Sequence, residues 1–346
     1  MKKFFIIAAA ALVTLAACTK NQLDQESLDA RRINFNTVAG MTTKAPLSGT
    51  VYKTTDPTFG VFCYALTSGK TWAANSADGQ TYMNNVEISY NSTDLIWEPS
   101  STYYWPLSGT LTFVAYSPFG CAGTVAYAPA TKALTVTDFV VKADAGDQED
   151  LMWATTNADL TDNEAAYTSE SATSTLLGVN EVFHHALSQV KFNVKKAAGL
   201  DDYTITVNSI TFDAYSKGTL TVTNDAPVWS AQAKQNNFVF DTTGSNIEAP
   251  NNSADFAAFG VANMPVPQTL ATGVQTFEIT YSLAKGGVDL GSKTVSAKDL
   301  LGATVTEWAP NTIYNYNIVI DLNKIYFNPT IVDWTTGASQ QINVPN

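Results

Sequence analysis

Apolar and polar residues alternate with a period of two along most of this chain. Leu111, Phe113 and Ala115 are separated by Thr112 and Val114, and Val190, Phe192 and Val194 by Lys191 and Asn193. The pattern recurs at Tyr203, Ile205 and Val207 and at Phe277, Ile279, Tyr281 and Leu283. Late in the chain Tyr314, Tyr316, Ile318, Ile320 and Leu322 share one side, with Asn315, Asn317 and Asp321 on the other. Neighbouring side chains of a strand point to opposite faces, so this period predicts strands with one buried and one solvated face. Turn residues fall between them at Ser108-Gly109, Ser117-Pro118, Lys217-Gly218, Asn224-Asp225 and Gly286-Gly287. Many short strands broken by turns predict an all-β fold of antiparallel sandwiches rather than βαβ units.

The amino terminus breaks the pattern. Lys2 and Lys3 precede an apolar run over 4–13, and small residues lead to Cys18. That is the order of a secretory signal, and the run is too short to span a bilayer. Leu15-Ala16-Ala17-Cys18 has the form of a bacterial lipobox, in which cleavage frees the cysteine for acylation. An ordinary signal with a chance cysteine is the blander reading. Several acyl chains, at about 0.8 kcal/mol per buried methylene, make a firm anchor. No later stretch is long and apolar enough for a transmembrane helix. Residues 1–17 are thus expected to be a signal peptide and 18–32, polar and aperiodic, a lipidated tether.

Without its first 17 residues the chain keeps 329, enough for two ordinary domains. A stretch over 155–180, rich in Thr, Ala, Ser and Asn, places the division near residue 182. This gives an amino-terminal sandwich over 33–182 and a carboxy-terminal one over 183–346. The exported part carries 17 basic against 31 acidic residues, a balance of −14 that disfavours nucleic acid as a partner. Arg31 and Arg32 are the only arginines, so no arginine clamp for phosphate or carboxylate exists in the folded body.

Candidate chemistry is sparse. Cys63 and Cys121 either pair in an oxidising compartment or stay as buried thiols, with the thiols favoured. His184 and His185 are adjacent, so on a strand they face opposite ways and do not cooperate on a metal or in catalysis. No catalytic motif, cofactor loop or metal motif stands out. Asp144, Asp147, Glu149 and Asp150 offer oxygen ligands for calcium, against the plainer reading of a solvated acidic loop. Trp97, Tyr103, Tyr104 and Trp105 offer rings for a sugar face, against the plainer reading of packing at a sandwich edge.

Several segments together resemble the fimbrillin-like (Mfa-like) lipoproteins, the subunits of type V pili. They are the lipobox at Cys18, Arg32-Ile33-Asn34-Phe35, Thr43-Lys44-Ala45, Phe59-Gly60-Val61-Phe62-Cys63-Tyr64 and Tyr104-Trp105-Pro106. Further matches are Leu111-Thr112-Phe113-Val114-Ala115-Tyr116-Ser117-Pro118, Asp150-Leu151-Met152-Trp153-Ala154, Phe183-His184-His185-Ala186-Leu187-Ser188-Gln189-Val190 and Ile331-Val332-Asp333-Trp334. The resemblance implies two tandem transthyretin-like β-sandwich domains and assembly into an adhesive surface fimbria.

It also implies a life history. The precursor is lipidated by the lipoprotein-processing machinery, held at the outer membrane, and cut by a trypsin-like surface protease. The cut removes the first strand, here carrying Ile33 and Phe35, and a carboxy-terminal strand of another fimbrial subunit fills the groove. Lys44 stands where the family has arginine, and Arg31 and Arg32 are the alternative cleavage points. Candidate donor residues are Ile331, Asp333 and Trp334, then Ile342 and Val344, although 331–334 suit an ordinary final strand equally well. A host or bacterial surface ligand is an expected partner, and no cofactor or metal is. The second reading is a carbohydrate-binding lipoprotein anchored at the outer membrane that never polymerises, and the third, with the least in its favour, is a surface hydrolase.

Overall fold

The computed structural model describes residues 31–39, 58–93, 96–161, 178–235, 240–241, 247–250, 256–271, 275–297, 305–322 and 325–333. Its strands begin with β1 (Phe35–Ala39), β2 (Phe59–Leu66), β3 (Gln80–Asn91), β4 (Ile96–Pro99) and β5 (Thr110–Ser117). Next come β6 (Thr124–Ala128), β7 (Ala133–Val140), β8 (Met152–Ala154), β9 (Asn157–Leu160) and β10 (Val179–His185). The later half carries β11 (Ser188–Lys196), β12 (Tyr203–Asp213), β13 (Lys217–Thr223), β14 (Ala226–Ala233), β15 (Phe240–Asp241) and β16 (Ile247–Glu248). It ends with β17 (Ala257–Asn263), β18 (Gln268–Thr269), β19 (Thr276–Lys285), β20 (Val288–Ala297), β21 (Glu307–Trp308), β22 (Thr312–Ile320) and β23 (Ile325–Asp333). Among the described residues a short α-helix, α1 (Trp72–Asn75), follows β2.

The first sheet runs β2-β3-β4-β1-β10-β8-β5-β9, and β2 also pairs with β5. It therefore folds back on itself, and seven strands form a closed circuit. Phe59, Val61 and Cys63 of β2 and Leu111, Phe113 and Ala115 of β5 point into the core that this circuit encloses. Phe62, Tyr64 and Leu66 of β2 and Val114 and Tyr116 of β5 point outward into a second core. Both faces of these strands are buried, which is why Thr112 and Val114 are buried where a solvated face is expected.

A second sheet, β14-β13-β7-β6, covers the outer face and takes strands from both halves of the sequence. Two further sheets, β17-β11-β22-β23 and β15-β12-β19-β20, meet around Phe192 of β11, and β18 and β21 form a two-stranded sheet. Its ring lies 5.7 Å from Phe212 on β12 and 6.1 Å from Phe277 on β19. The alternation holds here, with Val190, Phe192, Val194, Tyr314, Tyr316, Ile318 and Ile320 all buried. In β12 the buried set shifts phase from Ile205 and Val207 to Ile210 and Phe212, because the ladder to β19 slips between Val207 and Ser209.

The all-β sandwich expectation stands, with two refinements. The ladders β1–β10 and β11–β22 are parallel. Strands this far apart in sequence are not joined by hairpins, so nothing forces them antiparallel. Lys217-Gly218, expected as a turn, opens β13 instead. A Cβ on Gly218 would lie 3.1 Å from the Trp229 ring, so the glycine admits that neighbour. Asn224 and Asp225, both at positive φ, and Gly286 and Gly287 make tight hairpins as expected. Residue 182, where the sequence places the domain division, lies within β10, a strand of the first sheet.

Candidate functional site

The first strand is seated inside the closed circuit rather than on an edge. Its approach is fixed before the strand begins: Trp105 N–H donates to the Arg31 carbonyl and Ile33 N–H to the Tyr103 carbonyl, both at 2.9 Å. Val179 N–H then donates to the Asn34 carbonyl at 2.8 Å. Phe35 to Ala39 run in parallel register with Val179 to Phe183, and Phe35 faces Trp97 of β4 on the other side.

Ile33, Phe35 and Thr37 point inward and are only 1%, 3% and 4% exposed. The Phe35 ring meets Phe59 and Phe113 edge-on at 6.0 and 5.7 Å. Burying Ile33 and Phe35 contributes about 1.5–3 kcal/mol apiece. Gly178 makes room for the strand, since a Cβ there would stand 3.0 Å from the Phe35 carbonyl carbon and 3.1 Å from the Asn34 oxygen.

One polar group interrupts this apolar seat. Glu181 of β10 is fully buried and stands in register opposite Thr37. Asn157 of β9 donates to Glu181 Oε2 and to the Asn180 carbonyl, each at 3.0 Å. Glu181 Oε1 has no hydrogen-bond partner among the described residues. Burial pushes the carboxyl up to about 8, against the opposing pull of the Asn157 hydrogen bond. Burial, helped by Glu181, also pushes the Cys63 thiol well above its ordinary value. Sequence pattern alone does not single out Thr37, Asn157, Gly178 or Glu181. The available signal was a carboxylate on the apolar side of Val179, Glu181 and Phe183.

The expected residues fall into place unevenly. Ile33 and Phe35 come together in the seat. Arg31 and Arg32 lie at its mouth, where the Arg31 guanidinium donates to the Trp105 carbonyl and Arg32 stands 3.6 Å from Glu98. Ile331 and Asp333 belong to β23, in antiparallel register with Tyr314 and Thr312 of β22. Cys18, Lys44, Trp334, Ile342 and Val344 lie outside the described residues, as do residues 1–17. No helix among the described residues is long and apolar enough to cross a membrane.

His184 and His185 point to opposite faces. His184 stacks on Trp153 at 4.6 Å and its Nε2 lies 2.9 Å from Thr155 Oγ1, and burial lowers its basicity. His185 is buried, with Nδ1 2.9 Å from Asp150 Oδ1.

The acidic cluster is spent locally rather than gathered: Asp144 accepts from Gly146 N–H, and Glu149 from Ala122 N–H. Among the described residues no three His, Cys, Asp or Glu side chains converge on a metal position. Cys63 and Cys121 are both buried free thiols. Trp97 and Trp105 are core residues packed on Phe59 and Phe113, so neither offers its ring to a sugar.

A separate cleft of about 230 Å³ is lined by Trp72, Lys132, Asp159 and Asp225 among others. Asp159 accepts from Trp72 N–H, Asp225 from Thr156 N–H, and Lys132 donates to the Ala73 carbonyl, so its charges serve its own walls.

The family model described as fimbrillin-like matches residues 42–334. A solved fimbrial protein from Bacteroides vulgatus is 20% identical with a TM-score of 0.64, covering 88% of this chain and 100% of that one. The fimbrial anchor protein Mfa2 from Porphyromonas gingivalis is 12% identical with a TM-score of 0.33, covering 88% and 98%. No curated protein matches the chain.

Proposed function

Because this chain belongs to the fimbrillin-like family, we propose that it is a structural, adhesive subunit of a surface fimbria, assembled by strand exchange after its first strand is removed. The observation that carries this reading is the seat of β1. Removing that strand opens the circuit between β4 and β10 and leaves two unpaired backbone edges beside a pocket lined by Phe59, Phe113 and Trp97. Such an opening cannot stay empty in water. Exposed strand edges recruit another strand, whose main chain completes the ladder and whose alternate side chains fill the pocket.

In this reading the chain is exported as a precursor, acylated at Cys18, and held on the outer membrane by residues 18–32. Cleavage follows Lys44. Cuts at Arg31 or Arg32 are disfavoured because that backbone is already paired with Tyr103 and Trp105, and because they would leave Ile33 and Phe35 in the seat. Partners are the lipoprotein-processing machinery, a trypsin-like surface protease, other fimbrial subunits and a ligand on the opposing surface. The carboxy-terminal segment supplies the incoming strand. Treating the exported protein with a trypsin-like protease should produce oligomers that resist detergent and dissociate only on strong heating. A cut protein that stays monomeric would overturn the reading.

A further inference from the structure

Lysines are scarce in this acidic chain, and most of the described ones are engaged. Lys70, Lys142 and Lys234 pair with carboxylates, and Lys132, Lys196 and Lys293 donate to backbone carbonyls. Lys191 of β11 differs. It points outward between the buried Val190 and Phe192 and is itself half-buried. Among the described residues no carboxylate, carbonyl or ring stands against its ammonium. Burial lowers its basicity, and no opposing charge restores it.

The backbone beside this lysine is also irregular. Val190 pairs with Asn263 and Phe192 with Phe259, so Gly260, Val261 and Ala262 of β17 bulge out opposite Lys191 alone. Gly260 turns the chain there at a φ of 64°, and Val261 is left 62% exposed. On its other side Lys191 stands in register with Asn315 of β22. Two residues on, Asn193 donates to Asn317 at 2.9 Å. Lys195, further along the same outward row, already lies over the Phe256 ring at 4.4 Å.

We propose that Lys191 and the β17 bulge form a binding site for a sugar carrying a single carboxylate, a terminal uronic or sialic acid of a surface glycan. This names the ligand expected on the opposing surface and rests on the adhesive part of that reading. The unpaired ammonium takes the carboxylate. The Asn193 and Asn315 amides, which both donate and accept, meet the hydroxyls, and Val261 lies against the apolar edge of the ring. Other anions fit less well. An extended acidic peptide has no strand edge to join, because β11 lies between β17 and β22. A polyanion is repelled by the strongly acidic body, whereas one carboxylate needs only the one free ammonium.

The test uses the full-length exported protein on immobilised oligosaccharides ending in glucuronic or sialic acid, beside the same oligosaccharides without the acidic residue. The acidic set should be bound and the neutral set not. Lys191→Ala should weaken binding at least about tenfold, the loss of one charge-assisted hydrogen bond, and Lys191→Arg should restore part of it. Val261→Asp, a change at an exposed position, sets a competing carboxylate beside Lys191 and should abolish binding. Lys217→Ala removes an exposed lysine from another sheet and should change nothing, which separates the site from overall charge. Equal binding of acidic and neutral sugars, or wild-type affinity in Lys191→Ala, overturns the proposal. So does an oligoglutamate peptide that binds at Lys191 as tightly as the sugars. Assembly of the cut protein is read in parallel on unheated gels. Oligomers that form without any binding of acidic sugars refute this site alone. Sugar binding by cut protein that stays monomeric refutes strand exchange and leaves the site standing.

Discussion

Single residues decide how tightly the first strand is held. Phe35 fills a pocket edge-on to Phe59 and Phe113. Phe35→Ala should therefore cost about 3–5 kcal/mol of unfolding free energy in the uncut protein, measured in denaturant. Glu181 acts in the other direction. Its carboxyl is raised from an ordinary 4.5 to about 8, so the folded state retains a proton that the unfolded chain releases. Its contribution to stability is fully present below about pH 4.5 and is lost as pH rises through 8. Cys63, Asn157 and Thr37 are the neighbours that share this pocket, and Glu181 is its one carboxylate among the described residues. In Glu181→Gln the fall in unfolding free energy between about pH 5 and 8 should flatten, whereas an equally steep fall would place the titrating group elsewhere.

Sequence pattern locates Ile33 and Phe35 because their alternation marks them. It does not locate Glu181, because a lone carboxylate within Val-Asn-Glu-Val-Phe reads as solvent-facing until a strand from a distant segment is laid beside it.

At the scale of elements, period-two alternation is a reliable guide to strands, and β11, β19 and β22 bury the residues it selects. Partners are another matter. The β1–β10 ladder joins residues 35–39 to 179–183, and no local signal specifies a pairing across so much chain. The β12 bulge is similarly silent, since it arises from how the strand meets β19.

The seat also depends on one small residue. Gly178 lies against the β1 backbone, so Gly178→Val should push the strand outward without touching any aromatic in the pocket. Oligomers should then form sooner after cleavage than with the wild type, as timed on unheated gels. Unchanged kinetics would mean that leaving the seat does not limit assembly.

For the whole molecule, elements from both sides of residue 182 share a core and a sheet. The outward core runs continuously from Phe62 and Tyr116 to Phe192 and Tyr316, and β6 and β7 share a sheet with β13 and β14. Sequence composition exposes a break in periodicity near 155–180 but not this shared sheet, whose strands come from both sides of the break. A body so joined should unfold in one cooperative transition, cut or uncut, with the cut form less stable by the interactions of β1. Removing residues 334–346 leaves β23 as described and should not change that transition, yet it should abolish assembly.

The most direct measurement is amino-terminal sequencing of the subunit taken from assembled fibres. A start at Ala45 is predicted, with Ile33, Phe35 and Thr37 gone and the lipidated Cys18 left behind. A start at Arg32 or Ile33 in fully assembled fibres would mean that β1 never leaves its seat, and strand exchange at this groove would be wrong.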